Sequence, residues 1–529
     1  MKSIKKEIMI LGLLFIWADA NIFAQGLPSD YSLDKILNKV ADTNPASNTV
    51  DRILVQDKST VWLGTSRGLS KTTDAGLNWT NYYDTEAFGT ESVSALGYGL
   101  GAIWAATWHS EDRSGSATPI GTGLRYSTDA GKTWIKISQP VDKQEDSVIY
   151  YGTNKIRALP VTAVEQNFIY AIAFTKNTIW IVSFSGGLRK SLDMGKTWQR
   201  VIIPPDNLNS IKSTDKLDFD LAPTSGKLLM RGNLNHRAFS IISVGDDTLY
   251  VGTAGGLNKT TNANDQYPAW TKFNHTNQQK PLSGNFIYSL SRNPIDGTIW
   301  AGSWKAEGST EFYAVSYSKD GGQNWNITLT DERVRDFGFR IIPSSEVFAA
   351  AETGLYRSSN GTTWQAAPKI RDSQNGIELK QTMFLSVETN TLNSGTTEIF
   401  AGTNDGLAKC SETTTDPWWA KWTVYYAKGK SITATESFAF PNPFNPRSEV
   451  LRIKYNLPNS SNVTLRIMDF GMNLVRTVLQ NAPRVSNPEQ LDYWDGKDEN
   501  GKFVPNGVYF YRLDVDGNDA LFGKIIVLM

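Results

Sequence analysis

The chain has 529 residues, more than one ordinary domain needs and enough for a large core. Lys plus Arg and Asp plus Glu both number 53, a balance that argues against a general nucleic-acid or polyanion binder. One cysteine, Cys410, excludes an intrachain disulfide framework, while 17 Trp and 43 Gly point to repeated strands and turns with aromatic packing.

Taken in order, the chain begins with basic Lys2, Lys5 and Lys6, an apolar run from Ile8 to Trp17, then small residues. That pattern predicts an export signal over residues 1–24, cleaved after Ala20 or Ala24. The apolar run is short for a bilayer span, and no later segment is apolar enough to cross one, so no transmembrane segment is expected after cleavage. Residues 25–48 read as a polar approach segment with weak helical character around Leu33 to Val40.

From residue 49 a repeat sets in. Its sharpest part is a turn: Thr72-Thr73-Asp74-Ala75-Gly76-Leu77-Asn78-Trp79, Ser127 to Trp134, Ser191 to Trp198 and Ser318 to Trp325. Each copy has a hydroxyl residue, then an Asp (Asp74, Asp129, Asp193, Asp320), a Gly (Gly76, Gly131, Gly195, Gly322) and a Trp (Trp79, Trp134, Trp198, Trp325). The Asp is suited to accept turn amides, the Gly to take a positive φ and the Trp to anchor the next strand. Shorter or degenerate copies end at Trp364, Trp270 and Trp422. Upstream of each turn lies a strand of the type Val61-Trp62-Leu63-Gly64-Thr65, seven in all. A period of roughly 40 to 50 residues suits a four-stranded blade, and the small residue after the aromatic lets neighbouring strands approach closely.

These turns resemble the Asp-box of bacterial neuraminidase-type repeats. The resemblance implies an all-β fold, a seven-bladed β-propeller over residues 49–428, in which the box is structural and names no activity. Two spacings are long, residues 139–165 and 200–236, and propeller geometry puts both on one face.

After a polar linker, residues 429–437, comes Phe440-Pro441-Asn442-Pro443-Phe444-Asn445-Pro446. Three prolines there forbid a central strand. Alternating strands follow, with Trp494-Asp495-Gly496, Asn500-Gly501 and Gly507-Val508-Tyr509-Phe510-Tyr511 among them. This module, residues 438–529, resembles the C-terminal sorting domain of type IX secretion cargo and the immunoglobulin-like domain of flagellar hook-capping proteins. It implies a small immunoglobulin-like β-sandwich, with the type IX machinery as a partner and the outer surface of a Gram-negative cell, or the medium, as the destination.

No catalytic constellation stands out. His109, His236 and His275 have no metal-ligand spacing, so no metal and no cofactor are expected. Cys410 lacks a nucleophile signature and reads as a packed thiol. Asp495, Asp498 and Asn500 read as a hairpin turn rather than a calcium loop. The sialidases that share the repeat carry an arginine motif which Phe339-Arg340-Ile341-Ile342-Pro343 matches only with an extra residue and in the sixth repeat.

The loops after the second strands predict a rim: Arg67, Trp108, His109, Trp304, Lys305, Glu352 and Asp405 at one mouth of the channel, with Phe184 packing between blades. Trp108 and Trp304 are candidates to stack on a ligand, and the charged residues to orient it. The leading expectation is an exported, non-catalytic protein that binds carbohydrate or protein. A glycoside hydrolase with carboxylates at the same mouth and an extracytoplasmic sensory propeller are the alternatives.

Overall fold

The computed structural model describes residues 44–113, 116–223, 232–341, 345–373, 378–380, 383–392, 395–413, 419, 421–427, 437–447 and 449–529, with 487–489 as backbone only. They fall within one compact unit, Lys39–Met529. The predicted export signal, the helical reading around Leu33 to Val40 and the linker up to residue 436 lie outside the described residues.

The fold is all-β; the one helical element among the described residues is a short 3-10 turn, Leu234–His236. Seven sheets, each built on four consecutive antiparallel strands, follow one another from Val50 to Tyr425. Their first strands are Val50–Val55, Ser92–Gly99, Ile169–Thr175, Ala238–Val244, Phe286–Arg292, Val334–Arg340 and Phe384–Thr391. Each first strand packs against the next, and the seventh packs against the first. The sheets therefore form a closed ring with first strands innermost, the arrangement of a β-propeller.

The sequence explains how the sheets approach so closely. Gly252, Gly302 and Gly402 lie two residues after the second-strand aromatic. A Cβ at Gly252 would sit 2.7 Å from the Ile287 carbonyl of the next sheet, and one at Gly302 2.6 Å from that of Val334. The same carbonyls accept hydroxyls from the first strand: Ser240 Oγ donates to Ile287 O at 2.9 Å and Ser289 Oγ to Val334 O at 3.3 Å. Ser386 Oγ donates to Val50 O at 3.2 Å and closes the ring.

The recurring turn joins third and fourth strands and repeats one bonding scheme. Thr72, Ser127, Ser191 and Ser318 each donate to the Asp two residues on, at 2.7–2.9 Å, and accept the Gly amide at 2.8–2.9 Å. The Asp then accepts both the amide and the side chain of Asn78, Thr133, Thr197 or Asn324. Gly131 has φ +88°, and Ala130 before it is also left-handed at +59°. Trp79 and Trp325 are buried; Trp134 and Trp198 are partly so.

A second repeated device, missed in the sequence, ties this turn to its neighbour. Third-strand lysines reach across to the next sheet's turn: Lys71 Nζ to Ala130 O at 2.9 Å, Lys259 Nζ to Gly321 O at 2.9 Å and Lys409 Nζ to Ala75 O at 2.6 Å. In the second and fifth sheets a tyrosine takes the place, with Tyr126 on Trp104 and Tyr317 on Trp300 at 4.5 and 4.7 Å.

The two long spacings meet. Val148–Tyr151 and Asn154–Ala158 from the first form a small sheet with Asp220–Leu221 from the second. Ser210–Ile211 adds a fifth strand to the fourth sheet, beside its outermost strand Trp270–Phe273. Tyr151, Ile156 and Ile211 join Trp180 and Trp270 in one core.

Beyond residue 437 two sheets face each other: Ser437–Phe440, Leu451–Leu457 and Asn487–Trp494 in one; Leu474–Arg484, Ser461–Met468, Gly507–Val515 and Leu521–Val527 in the other. Ile453, Tyr455, Leu465, Ile467, Trp494 and Tyr511 fill the sandwich between them. The proline-rich segment runs along the last strand, where Phe444 bridges Val527 and Asn442 exchanges hydrogen bonds with Lys524 and Ile526. Asp498 Oδ1 accepts the amides of Asn500 and Lys502, which makes that acidic stretch a hairpin turn.

Candidate functional site

All seven innermost strands carry a β-bulge near their start, where one residue is skipped in the register with the second strand. The skipped residues are Asp51, Ser94, Tyr170, Phe239, Tyr288, Arg335 and Leu385. A bulge re-aims side chains. Here it sets five large or charged ones at one level of the ring. Asp51 of the first sheet feels Arg335 of the sixth, and Tyr170 of the third feels Tyr288 of the fifth and Arg52 of the first. Sheets that are not neighbours meet only across the axis, so these groups face the central channel.

One side of the mouth is aromatic. Trp108 stacks on Phe168 at 5.2 Å, Phe168 meets Tyr170 at 4.3 Å, and Tyr170 meets Phe239 at 5.0 Å. Phe239 meets Phe286 at 4.5 Å, Phe286 meets Trp304 at 5.5 Å, and Trp304 lies parallel to Tyr288 at 4.3 Å. This arc crosses the second to fifth sheets without a gap, and all of it but Phe239 is only half-buried.

The other side is ionic. Arg335 Nη2 holds Glu352 at 2.7 Å, and Arg333 holds Glu352 at 3.4 Å and the Tyr313 hydroxyl at 2.9 Å. Both guanidiniums lie over Trp304, at 5.9 and 5.6 Å. Asp51, Arg52, Asp336 and Glu388 stand on the same innermost strands and are half-buried. Burial pushes Asp51 and Asp336 up to about 6, against the pull of Arg52 on both. Burial pushes Glu388 further, to about 8, and the nearby Asp336 charge adds to the shift.

The predicted rim residues fall into three groups. Trp108, Trp304 and Glu352 belong to the mouth as described, and Phe184 stands beside it, 6.1 Å from Phe239 and under Arg237. His109 bridges Glu91 and Glu111 at 3.0 Å each on a hairpin that runs out to Arg113, and Glu111 chiefly holds its pKa above the usual value. Arg67 is exposed beside Tyr83, and Lys305 is exposed. Asp405 is buried: it is ion-paired to Arg452 of the C-terminal sandwich, whose guanidinium also lies 4.1 Å from the Tyr426 ring. Its other oxygen accepts the Lys380 amide at 2.7 Å. Asp405 is thus a joint between sheet and sandwich, not an open rim group.

Arg340 is likewise buried, paired with Glu346 and Glu412, as is Arg357. Cys410 is buried in the same place, and burial pushes its thiol up to about 12. A separate cleft of about 640 Å³ runs along the outermost strand of the fourth sheet, lined by Asn209, Lys212, Lys259, Asn262 and Gln278. Its two aromatics, Trp270 and Phe273, are both buried, so the cleft offers no aromatic face.

Sequence reasoning missed Tyr170, Phe239, Tyr288, Arg335, Asp51, Asp336 and Glu388. Aligning Ile169-Tyr170-Ala171, Ala238-Phe239-Ser240, Ile287-Tyr288-Ser289 and Phe384-Leu385-Ser386 exposes the signal. An apolar residue and a small one hold the backbone, and the residue between them varies.

No protein-family model matches the chain, and no curated protein matches it. Among solved structures, it is similar to PorZ, a bacterial surface component of the type IX secretion system of Porphyromonas gingivalis, at 12% identity and TM-score 0.38. That match covers 90% of this chain, which spans 65% of the length of PorZ. It is also similar to YCF48 bound to D1 peptide, at 16% identity and TM-score 0.39, over 72% of this chain and 97% of the other. A third is an ancestral GH74 enzyme, at 12% identity and TM-score 0.30, over 90% and 71%. Among the described residues, no helix is long and apolar enough to cross a membrane.

Proposed function

We propose that the chain is an exported, non-catalytic binding protein: a seven-bladed Asp-box propeller over residues 49–428 that holds its ligand at the channel mouth. The sandwich over 438–529 acts as the type IX sorting module that delivers it to the cell surface or medium. One observation carries the binding reading, the unbroken aromatic arc from Trp108 to Trp304. Half-buried aromatics in contact over four sheets are an apolar surface that water covers at a cost and a ligand would cover favourably.

The test is a screen of the full-length chain on peptide and glycan arrays, with product analysis of every hit. Retained, unmodified ligand that is lost in Phe239→Leu supports the reading. A second reading, a glycoside hydrolase, is favoured by one feature: Glu388, raised to about 8, suits a general acid. Release of sugar that stops in Glu388→Gln would establish it and overturn the first. For sorting, a chain ending at residue 437 should stay in the periplasm; its normal export would sink that part.

A further inference from the structure

This inference rests on the binding reading and names the ligand. We infer that the mouth takes a polypeptide segment with apolar side chains next to a lysine or arginine, the apolar groups on the arc and the cation among Asp51, Asp336 and Glu388.

The apolar half follows from composition. Phe168, Phe239 and Phe286 form the middle of the arc and carry no hydrogen-bonding atom, whereas a sugar platform needs polar groups round its rings. The polar groups at its end, Arg333, Arg335 and Glu352, are already bonded to one another and to Tyr313. Leucine or phenylalanine side chains match such a wall; hydroxylated rings do not.

The cationic half follows from charge. Of the four acidic groups here, Asp51, Asp336, Glu352 and Glu388, Glu388 is raised to about 8 and keeps its proton at neutral pH, so the question is which of the other three lacks a bond of its own. Glu352 is shared by Arg333 and Arg335. Asp336 accepts the amides of Phe337 and Val387, and Glu388 that of Thr389. Among the described residues the Asp51 carboxylate accepts no hydrogen bond and makes no ion pair, since Arg52 Nη1 donates to the Asp51 backbone carbonyl at 2.9 Å instead, and its bulge places it where Arg335 across the ring acts on it. A neutral ligand lying over the mouth would strip water from that carboxylate and give nothing back. A ligand ammonium or guanidinium supplies both the charge and the donors. Tyr170 and Tyr288 across the axis add aromatic faces to the same space.

The experiment uses the full-length chain and three fluorescent decapeptides that share two phenylalanines and differ at one neighbouring position: lysine, norleucine or glutamate. Binding is read by fluorescence polarisation. The lysine peptide should bind about tenfold more tightly than the norleucine peptide, and the glutamate peptide more weakly still. Asp51→Asn should cut the lysine preference several-fold, weakening the lysine peptide and relieving the norleucine peptide of a stripped carboxylate, whereas Phe239→Leu should weaken both peptides. Equal affinity for lysine and norleucine, still sensitive to Phe239→Leu, overturns the cation subsite and leaves the binding reading standing. Glycan binding at the mouth with no peptide binding overturns the peptide inference. Binding of neither class overturns the binding reading as well.

Discussion

At four turns on the outer side of the ring, Thr72, Ser127, Ser191 and Ser318 make the same hydrogen bonds to neighbours at the same offsets. At seven bulges round the mouth the backbone repeats equally well, but the residues are Asp51, Ser94, Tyr170, Phe239, Tyr288, Arg335 and Leu385. The turns keep side chain and backbone together because each side chain completes its own turn. Apart from Ser94, whose buried hydroxyl donates to the Ile169 carbonyl of the next sheet at 2.7 Å, the bulges need only their backbone, so the ring can hold a different group at each place. Where a repeat keeps its geometry and lets its side chains diverge, the side chains answer to something outside the fold.

Asp405 stands between the two cases, and it gives the largest expected effect. It lies in a second-strand loop like the other rim residues, yet it is closed in by Arg452 and Tyr426. Arg452→Ala would leave a buried carboxylate without its partner, a loss of about 3–5 kcal/mol. Urea unfolding should show it, with the sandwich separating from the ring as an earlier transition. Replacing both partners, Asp405→Leu with Arg452→Met, should recover most of the loss. If Arg452→Ala unfolds like the parent chain, Asp405 belongs with the open rim after all.

The turns can be tested on glycine. Gly131 combines φ +88° with a position where a Cβ would lie 2.8 Å from the Trp62 ring of the neighbouring sheet. Gly101 has φ +72° and open space around it. Gly131→Ala should cost about 2–3 kcal/mol, Gly101→Ala about 1 kcal/mol, both by chemical denaturation. Equal losses would mean that the turn contributes only local backbone geometry and does not lock sheet to sheet.

The same contrast explains what could be read in the sequence. The recurring turn is written within eight residues, so its hydroxyl, Asp, Gly and Trp announce it, and seven Val61-to-Thr65-like strands announce the sheets. The glycine in those strands was legible too, since close approach leaves few alternatives to it. The mouth is written across the whole chain. Tyr170, Tyr288 and Arg52 meet only once the ring has closed, and no spacing relates them. Trp108 and Trp304 were found because their loops follow recognisable strands. Asp405 was found by the same rule and misplaced, because its partner lies in another module, 47 residues on. The Lys71, Lys259 and Lys409 ties left no mark to read, since their acceptors are backbone carbonyls of the next sheet.

The smallest effect expected is a pH dependence, and it separates a wet mouth from a dry one. Glu388 in the folded chain is raised to about 8 from an ordinary 4.5, first by burial and then by Asp336. A raised carboxylate binds its proton more tightly folded than unfolded, so its contribution is fully present below the unfolded value and is lost as pH rises through about 8. The groups that bear on it are Asp336 from the sixth sheet, itself under the pull of Arg52 from the first, and the amide of its own neighbour Thr389. Glutamine is neutral at every pH and has the same shape. Glu388→Gln should therefore melt a few degrees above the parent chain at pH 9 and together with it below pH 4. Asp129 in its outer turn runs the other way. Hydrogen bonds from the side chain and amide of Thr133 hold its carboxyl far below the ordinary range, so its contribution is present at neutral pH and lost as pH falls. Parallel melting curves for Glu388→Gln and the parent from pH 4 to 9 would mean that water solvates the mouth as freely as the outer turns. In that case the aromatic arc alone would define the ligand.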